Sequence, residues 1–458
     1  MSKVKEYSAM TKDKLMTYTF AALVVIAVIT AVMWFGTIAK DPMTQAPIGM
    51  DYGVTLIISC AIAVGVAVGV DVLLHKVAAD SPLNIMSAAV FGMIVALCYS
   101  YGEPSMRAVE VLPLIAPQSF LYVALITLVG MVLFKKLQGL KGRKYVNPAA
   151  AAKLLVLAFV GIFTVLIPSD HLSTGMLGVP SLAGPIGYDI VSGNGMAPFG
   201  FYIYGCFGNP GLTIMGATQT DIVNTLLLQK FHGWAGGASS IAVIIVGIAL
   251  FAICRRYIKW RITVAYLATT ALAAVAFAFA FGDPDPLLRV MFHLFIGSSI
   301  FLAFFMATDP ATTPLTYLGQ IIFGVGLAIL TMLIQTYMGF FGGSILALVI
   351  MNLTSPFLDK VGKLKPTAEK KEPKLPKAKQ FAIVKTTDCI RCGACMRVCC
   401  HKLSPILIKE AFDKKDVNKL VKLQADLCDG CGHCTFVCPA RIDIRNSVLR
   451  AKAMLRQQ

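Results

Sequence analysis

Up to about residue 358 the chain is built of long apolar blocks separated by short polar or Gly/Pro-rich breaks. A helix rises 1.5 Å per residue, so about twenty apolar residues cross a bilayer. Read this way, the blocks predict ten membrane-spanning helices, over residues 17–39, 53–74, 83–101, 118–134, 148–167, 237–254, 262–281, 287–307, 317–338 and 341–358. The basic residues sort the ends of these blocks. Lys3, Lys5, Lys12 and Lys14 precede the first; Lys76 follows the second; Lys135, Lys136, Lys141, Arg143 and Lys144 follow the fourth. Arg255, Arg256, Lys259 and Arg261 follow the sixth, and a lysine run from Lys360 follows the tenth, whereas the alternate connections carry little beyond Lys40, Arg107, Lys230 and Arg289. Lysine and arginine concentrate on the cytoplasmic side, so the pattern predicts both termini in the cytoplasm.

Two stretches break the series. Residues from about Pro168 to Gly236 are rich in Gly and Pro, and by the span count they lie outside or dip back into the membrane from outside. Asp359–Lys385 carries lysines and prolines without apolar periodicity and reads as an extended, solvated tether. The expected organisation is a membrane domain over 1–358, a Lys/Pro-rich linker over 359–385 and a cytoplasmic domain over 386–458. A faint internal repeat relates Ser87–Gly92 in span three to Gly297–Phe301 in span eight, and Asn147-Pro148-Ala149-Ala150 opening span five to Gly342-Gly343-Ser344 opening span ten. It predicts an inverted five-helix repeat, an arrangement that places ligands near the midplane against broken helices; the same small residues also serve plain close packing.

Composition agrees with a membrane protein. Of 458 residues 57% are hydrophobic and 14% charged, with a mean hydropathy of +0.73, a balance that excludes a soluble domain. The net charge of +17 is spread over loops beside apolar segments rather than on one aromatic-studded face, so no nucleic acid is expected as a partner; topology and an anionic lipid bilayer account for it. The first apolar run lacks a small-residue cleavage pattern and reads as a span rather than a removed signal.

The last seventy or so residues are of another kind. Cys389, Cys392, Cys395 and Cys399 follow C-x2-C-x2-C-x3-C, with Cys400 next; Cys428, Cys431, Cys434 and Cys438 repeat the spacing, followed by Pro439. Three thiolates two residues apart can wrap one face of an iron–sulfur cube from a tight loop, while the fourth points to the other cluster. The expected ligand sets are therefore Cys389, Cys392, Cys395 and Cys438 on one 4Fe–4S cluster, and Cys428, Cys431, Cys434 and Cys399 on the other. Zinc also uses C-x2-C pairs, and a dense cysteine segment can be a disulfide framework; the doubled quartet favours two clusters. Cys400 and His433 lie in these loops and are expected to tune a potential.

Within the membrane domain, Asp309 in Phe304–Pro314 is a rare ionisable residue at a membrane boundary. Two prolines break the helix there, and the freed N–H groups with Thr308, Thr312 and Thr313 are consistent with a cradle for a phosphate or flavin edge and equally with a helix cap and turn. Thr218, after Gly216-Ala217, is a hydroxyl accessible to a modifying enzyme. Cys60, Cys98 and Cys254 read as small core residues, and the histidines do not form the paired, mid-span pattern of a transmembrane haem.

Gly142–Ala150, Phe304–Pro314, Gly319–Gly324 and Leu348–Pro356 make spans three to ten, about residues 80–360, resemble the RnfD/NqrB subunits of ion-translocating ferredoxin:NAD and NADH:quinone oxidoreductase complexes. The resemblance implies a ten-span, flavin-binding subunit of the prokaryotic cell membrane. One FMN would be attached through its phosphate to the threonine of a D-x-x-S/T-G-A-T motif on the outer side, where Thr218 aligns, although Leu212 and Met215 replace the motif's Asp and Ser/Thr. A second, noncovalent flavin (riboflavin or FMN) would lie among the spans, with Asn147, Thr308, Asp309, Thr312 and Thr313 as its candidate contacts. The tail resembles the C-terminal ferredoxin region of RnfC through Cys389–Cys395 and Cys431–Ala440, with Cys400 where that family has proline. Together these imply a membrane electron-transfer subunit. It would be loaded by a cytoplasmic ferredoxin or dehydrogenase and partnered by further membrane, flavin and iron–sulfur subunits, with flow coupled to sodium or proton movement. Two other readings stay open: an uncoupled conduit to an extracytoplasmic flavoprotein, quinone or reductase, and a redox-sensing solute or ion transporter, against which the sparse ionisable residues of the spans argue.

Overall fold

The computed structural model describes residues 10–40, 47–77, 83–99, 118–138, 144–156, 226–228, 234–281, 286–295, 299–338, 343–363, 365–371, 373–375 and 386–457. The protein is helical, with one two-residue strand pair, β1 (Ala39–Lys40) against β2 (Pro47–Ile48), between the first two helices. Helix α1 (Lys12–Trp34) starts where the Thr11 hydroxyl accepts from the Lys14 amide. It stops before Gly36, whose amide donates to the Asp51 carboxylate at 2.6 Å. The same carboxylate accepts from Val54 N at 2.9 Å and so sets the first turn of α2 (Tyr52–Val77). Helices α3 (Ile85–Leu97) and α4 (Gln118–Val129) follow, the latter continuing as a π-helix over Gly130–Leu137. A helical stretch over 148–156 runs to the edge of the described residues.

Beyond it lie α5 (Ser240–Cys254), α6 (Trp260–Phe281), α7 (Pro286–Phe295), α8 (Ser299–Met306, π-helical from Leu302), α9 (Tyr317–Met338) and α10 (Gly343–Leu358). Five of the described helices are long and apolar enough to cross a membrane, and a sixth if α7 and α8, bent by 59°, form one broken span. Three of the expected spans, those at α3, α5 and α10, are shorter apolar helices. The expected span at 148–167 is described only to residue 156, and Thr218, with most of the expected outer loop, lies outside the described residues. Close crossings depend on missing side chains: a Cβ on Gly92 of α3 would stand 2.6 Å from Ala63 O of α2.

The tail forms a compact unit of short helices: α11 (Ala394–Arg397), α12 (Pro405–Asp413), α13 (Val417–Lys422), α14 (His433–Phe436) and α15 (Ile444–Arg456). Its two halves share one backbone. The left-handed residues Arg391, Gly393 and Lys402 (φ 53°, 71° and 55°) recur at the matching positions Gly430, Gly432 and Arg441 (φ 75°, 84° and 56°). In this register Cys400 matches Pro439.

The tail does not hang free. Lys12 N donates to Pro439 O at 2.9 Å; Ile390, Cys392 and Ala394 join the buried cluster of the bundle, and Leu315 of the bundle joins that of the tail. Even the Lys/Pro linker, read from sequence as a solvated tether, is pinned where it is described. Thr367 N donates to His401 O at 3.1 Å and Lys371 N to Cys400 O at 3.2 Å.

Candidate functional site

Each cysteine triplet sits on a loop whose left-handed residues turn the thiols inward. Cys389, Cys392, Cys395 and Cys438 line one cleft, closed by Ile406 and Pro439. Cys399, Cys428, Cys431 and Cys434 are electrostatic neighbours of one another at a second place. The fourth cysteine of each motif thus stands with the triplet of the other. No disulfide forms among the described cysteines. Burial pushes the Cys434 thiol up to about 12 and that of Cys438 to about 11. Four thiols converging on one apolar cleft are the donor set of an iron–sulfur cluster, and the residues fit such a group. The second place differs in one respect: Cys400, Cys431 and His433 hold their ligand atoms within 4.8 Å of one another.

The first cysteine loop faces the bundle. Arg391, between Cys389 and Cys392, reaches Asp359 at the end of α10 at 3.1 Å, with side chains only 3% and 5% exposed, and also pairs with Glu410 of α12. Asp359 in turn accepts from Leu315 N at 2.8 Å, and Arg397 donates to Arg256 O. Alternate ends of the first four helices are bonded to one another. Lys12 Nζ donates to Asn84 Oδ1 at 2.9 Å, Asn84 N to Asp71 Oδ2 at 2.8 Å, and Lys136 is paired with Asp71 at 2.5 Å.

Beneath the cysteine loop lies the connection from Asp309 to Thr316, and it is bonded to itself. Asp309 accepts from Ala311 N and Thr312 Oγ1, each at 3.2 Å, and its carbonyl from Thr313 Oγ1 at 2.6 Å. Thr308 Oγ1 donates back to Phe304 O at 2.8 Å. Asn147 caps the helical stretch at 148–156, accepting from Ala149 N and Ala150 N at 3.1 and 3.3 Å, and donates to Met306 O at 3.4 Å. These are the contacts of a capped turn, and they bring Asn147 against the end of α8.

Lys259, buried just before α6, fastens that turn: its ammonium donates to Pro310 O and Thr313 O at 2.8 Å and to Thr313 Oγ1 at 3.0 Å. Burial lowers its pKa from 10.5 to about 7. Between those values the unfolded chain holds a proton that the folded chain has released, so this lysine makes stability rise with pH from about 7 to 10; below about 7 both states are protonated and its contribution is flat. Lys259→Met removes that slope. In thermal unfolding of detergent-solubilised protein, the wild type should gain on the variant as pH rises across this window, and parallel profiles would count against the assignment.

Three buried groups within the bundle carry no site role in the sequence pattern. Lys153 donates to Cys98 O at 2.6 Å and lies 5.1 Å above the Trp234 ring; its signal was an ionisable residue inside the fifth apolar block, which such positions mark as a functional candidate. Arg289, counted from sequence among the charges of an outer connection, is instead buried in α7 and donates to Phe277 O at 3.4 Å. His293 is one turn on, 3.2 Å from Gln335 Oε1.

Comparison with known proteins covers the bundle. The D subunit of the ion-translocating oxidoreductase complex of Halorhodospira halophila is 28% identical over 253 residues, 51% of this chain and 65% of the relative. Its counterpart of the same description from Aeromonas salmonicida is 31% identical over 248 residues, 51% of this chain and 68% of the relative. The D subunit of the proton-translocating ferredoxin:NAD(+) oxidoreductase complex of Clostridium ljungdahlii is 35% identical over 144 residues, 31% of this chain and 42% of the relative. The chain thus spans under two thirds of the Halorhodospira protein and under half of the clostridial one. The model of the NQR2, RnfD, RnfE family matches residues 5–367, every apolar helix and the bonded turn beneath the cysteine loop. This helical, multi-pass membrane protein belongs to the NQR2, RnfD, RnfE family.

Proposed function

We propose that the chain is an electron-transfer subunit of an Rnf-like oxidoreductase complex in the prokaryotic cell membrane. In this reading ten spans form an inverted five-helix repeat, both termini are cytoplasmic and the Thr218 loop is extracytoplasmic. Two 4Fe–4S clusters, held by the two crossed cysteine sets, would supply one-electron transfer, and FMN at Thr218 with a second flavin among the spans would supply the redox groups beyond. The donor is a cytoplasmic ferredoxin or dehydrogenase. The observation that carries the reading is the seating of the Cys389–Cys395 loop on the Asp309–Thr316 turn, held by Arg391 and Asp359. The chain's own residues exclude water from that contact: Ile390, Cys392 and Leu315 are buried there. Asn147, Thr308, Asp309, Thr312 and Thr313 shape the turn that the inner flavin would face. Coupling to sodium or protons is supported by the relatives' names, which call their complexes "ion-translocating", "proton-translocating" or "Na(+)-translocating". The uncoupled conduit is the second reading, favoured by the position of the cysteine tail beyond the family match, which ends at residue 367.

Anaerobically purified protein should contain about eight irons, two clusters' worth, and show a fluorescent flavin band on a denaturing gel that Thr218→Ala removes. About four irons or fewer in the wild type would end the two-cluster reading, and a dark wild-type band would end covalent attachment. Vesicles holding the chain with its partner subunits separate the two functional readings: sodium or proton uptake on adding a low-potential donor means coupling, and electron flow without it means a conduit.

A further inference from the structure

The two cysteine sites are near copies in backbone, yet differ where Cys400 takes the place of Pro439. At the first site the proline ring lines the cleft and offers no donor. At the second, the Cys400 sulfur lies 3.6 Å from that of Cys431 and 3.0 Å from His433 Nδ1. Ligand sulfurs on different irons of a cube would stand well apart, so two sulfurs this close would serve one iron between them. Of the pair, Cys431 is exposed and Cys400 is buried, at 1%. The frame around them is fixed. Lys371 N donates to Cys400 O, Asp429 Oδ1 accepts from Cys431 N at 3.1 Å, and Lys370 pairs with Asp429 at 3.4 Å.

We propose that Cys400 is a reserve ligand of the second cysteine site, positioned to hold the iron of Cys431 when Cys431 is lost or modified. The exchange is a substitution without redox change: an iron–sulfur bond to Cys400 forms where the bond to Cys431 is absent, the Cys400 thiol proton leaves to solvent, and no electron moves. His433 is a positioning residue that aims the Cys400 sulfur. The site thereby keeps four thiolates although its outermost ligand is the one that oxidants reach first. The inference rests on the two-cluster reading.

Iron content and low-temperature EPR of anaerobically purified full-length variants test it. Cys400→Ala and Cys431→Ala should each retain about eight irons, the latter with an altered signal from one cluster, while the double variant falls to about four. Cys392→Ala, the first-site counterpart of Cys431 with only Pro439 beside it, has no stand-in and falls to about four by itself. A Cys431→Ala protein at about four irons overturns the proposal. So does a wild type carrying one zinc with about four irons, which would make Cys400, Cys431 and His433 a zinc site. A wild type at about four irons or fewer without zinc instead defeats the two-cluster reading beneath it.

Discussion

Replacing Asp359 by alanine should release the cysteine tail from the helical bundle. The Asp359 carboxylate is the meeting point of three segments: it ends α10, accepts the Leu315 amide at 2.8 Å and pairs with Arg391 of the first cysteine loop at 3.1 Å. Both side chains are nearly water-free, at 3% and 5% exposed. Breaking such a pair from one side is far more damaging than removing it whole, because the remaining charge stays buried without its partner; the loss runs to about 3–5 kcal/mol. Glu410, 28% exposed, keeps one acceptor on the guanidinium, which sets the expectation at the lower end, about 3 kcal/mol. That is about a hundredfold in the equilibrium between seated and released tail. The linker lysines report it: trypsin should cut after Lys363, Lys371 or Lys374 about a hundredfold faster in the variant, in detergent and under native conditions. Asp359→Leu combined with Arg391→Met removes both charges and should recover much of the protection. An unchanged digestion rate in Asp359→Ala would show that the pair does not seat the tail.

The second large effect concerns which cysteines act together. Cys438 belongs to the second motif by sequence but lines the first cleft with Cys389, Cys392 and Cys395, and Cys399 stands with Cys428, Cys431 and Cys434. Residues serving one site are not additive, whereas residues serving two sites are. Cys392→Ala with Cys438→Ala should therefore lose no more iron than Cys392→Ala alone, leaving about four of eight, while Cys392→Ala with Cys399→Ala leaves close to none. The reverse outcome would mean that each motif binds within itself. Flavin reduction sharpens the result, since the first site borders the Asp309–Thr316 turn. Disabling it should stop reduction of bundle flavin even while the other cluster is filled, and fast flavin reduction in that variant would place the electron exit elsewhere.

Much of this was readable from residue order. Apolar blocks located the helices to within a few residues at α2, α6 and α9, because length and hydropathy are local properties, whereas α1 begins five residues before its expected span and takes in Lys12 and Lys14. The cysteine spacing likewise pointed to the crossed grouping, since three thiols in a loop cannot close a fourth corner without a distant residue. Seating of the tail was not legible. It depends on Arg391 meeting Asp359 across the chain, and nothing in Lys/Pro composition distinguishes a free tether from one whose amides find carbonyls at His401 and Cys400. Asp309 and its threonines stood equally for a cradle or a capped turn; the bonds from Ala311 N, Thr312 and Thr313 to Asp309, and from Lys259 to the Thr313 carbonyl and hydroxyl, are those of a capped turn. Arg289 misled for a simple reason: a charge near the end of an apolar block looks like a loop residue until its helix is seen to start at Pro286.

The seated tail carries a consequence for assembly. Two proteins that meet only through diffusion must overcome the loss of independent motion, which a contact built on one buried ion pair, a few hydrogen bonds and a few apolar side chains has to offset in full. Joined by a short covalent linker, the same surfaces meet at an effective concentration in the millimolar range. The covalent joint therefore allows an interface that would be fleeting between separate chains to stay closed, and it fixes the stoichiometry at one cysteine module for each bundle. Severing the peptide chain between them, with both halves left intact, should turn this permanent union into one that dilution dissolves.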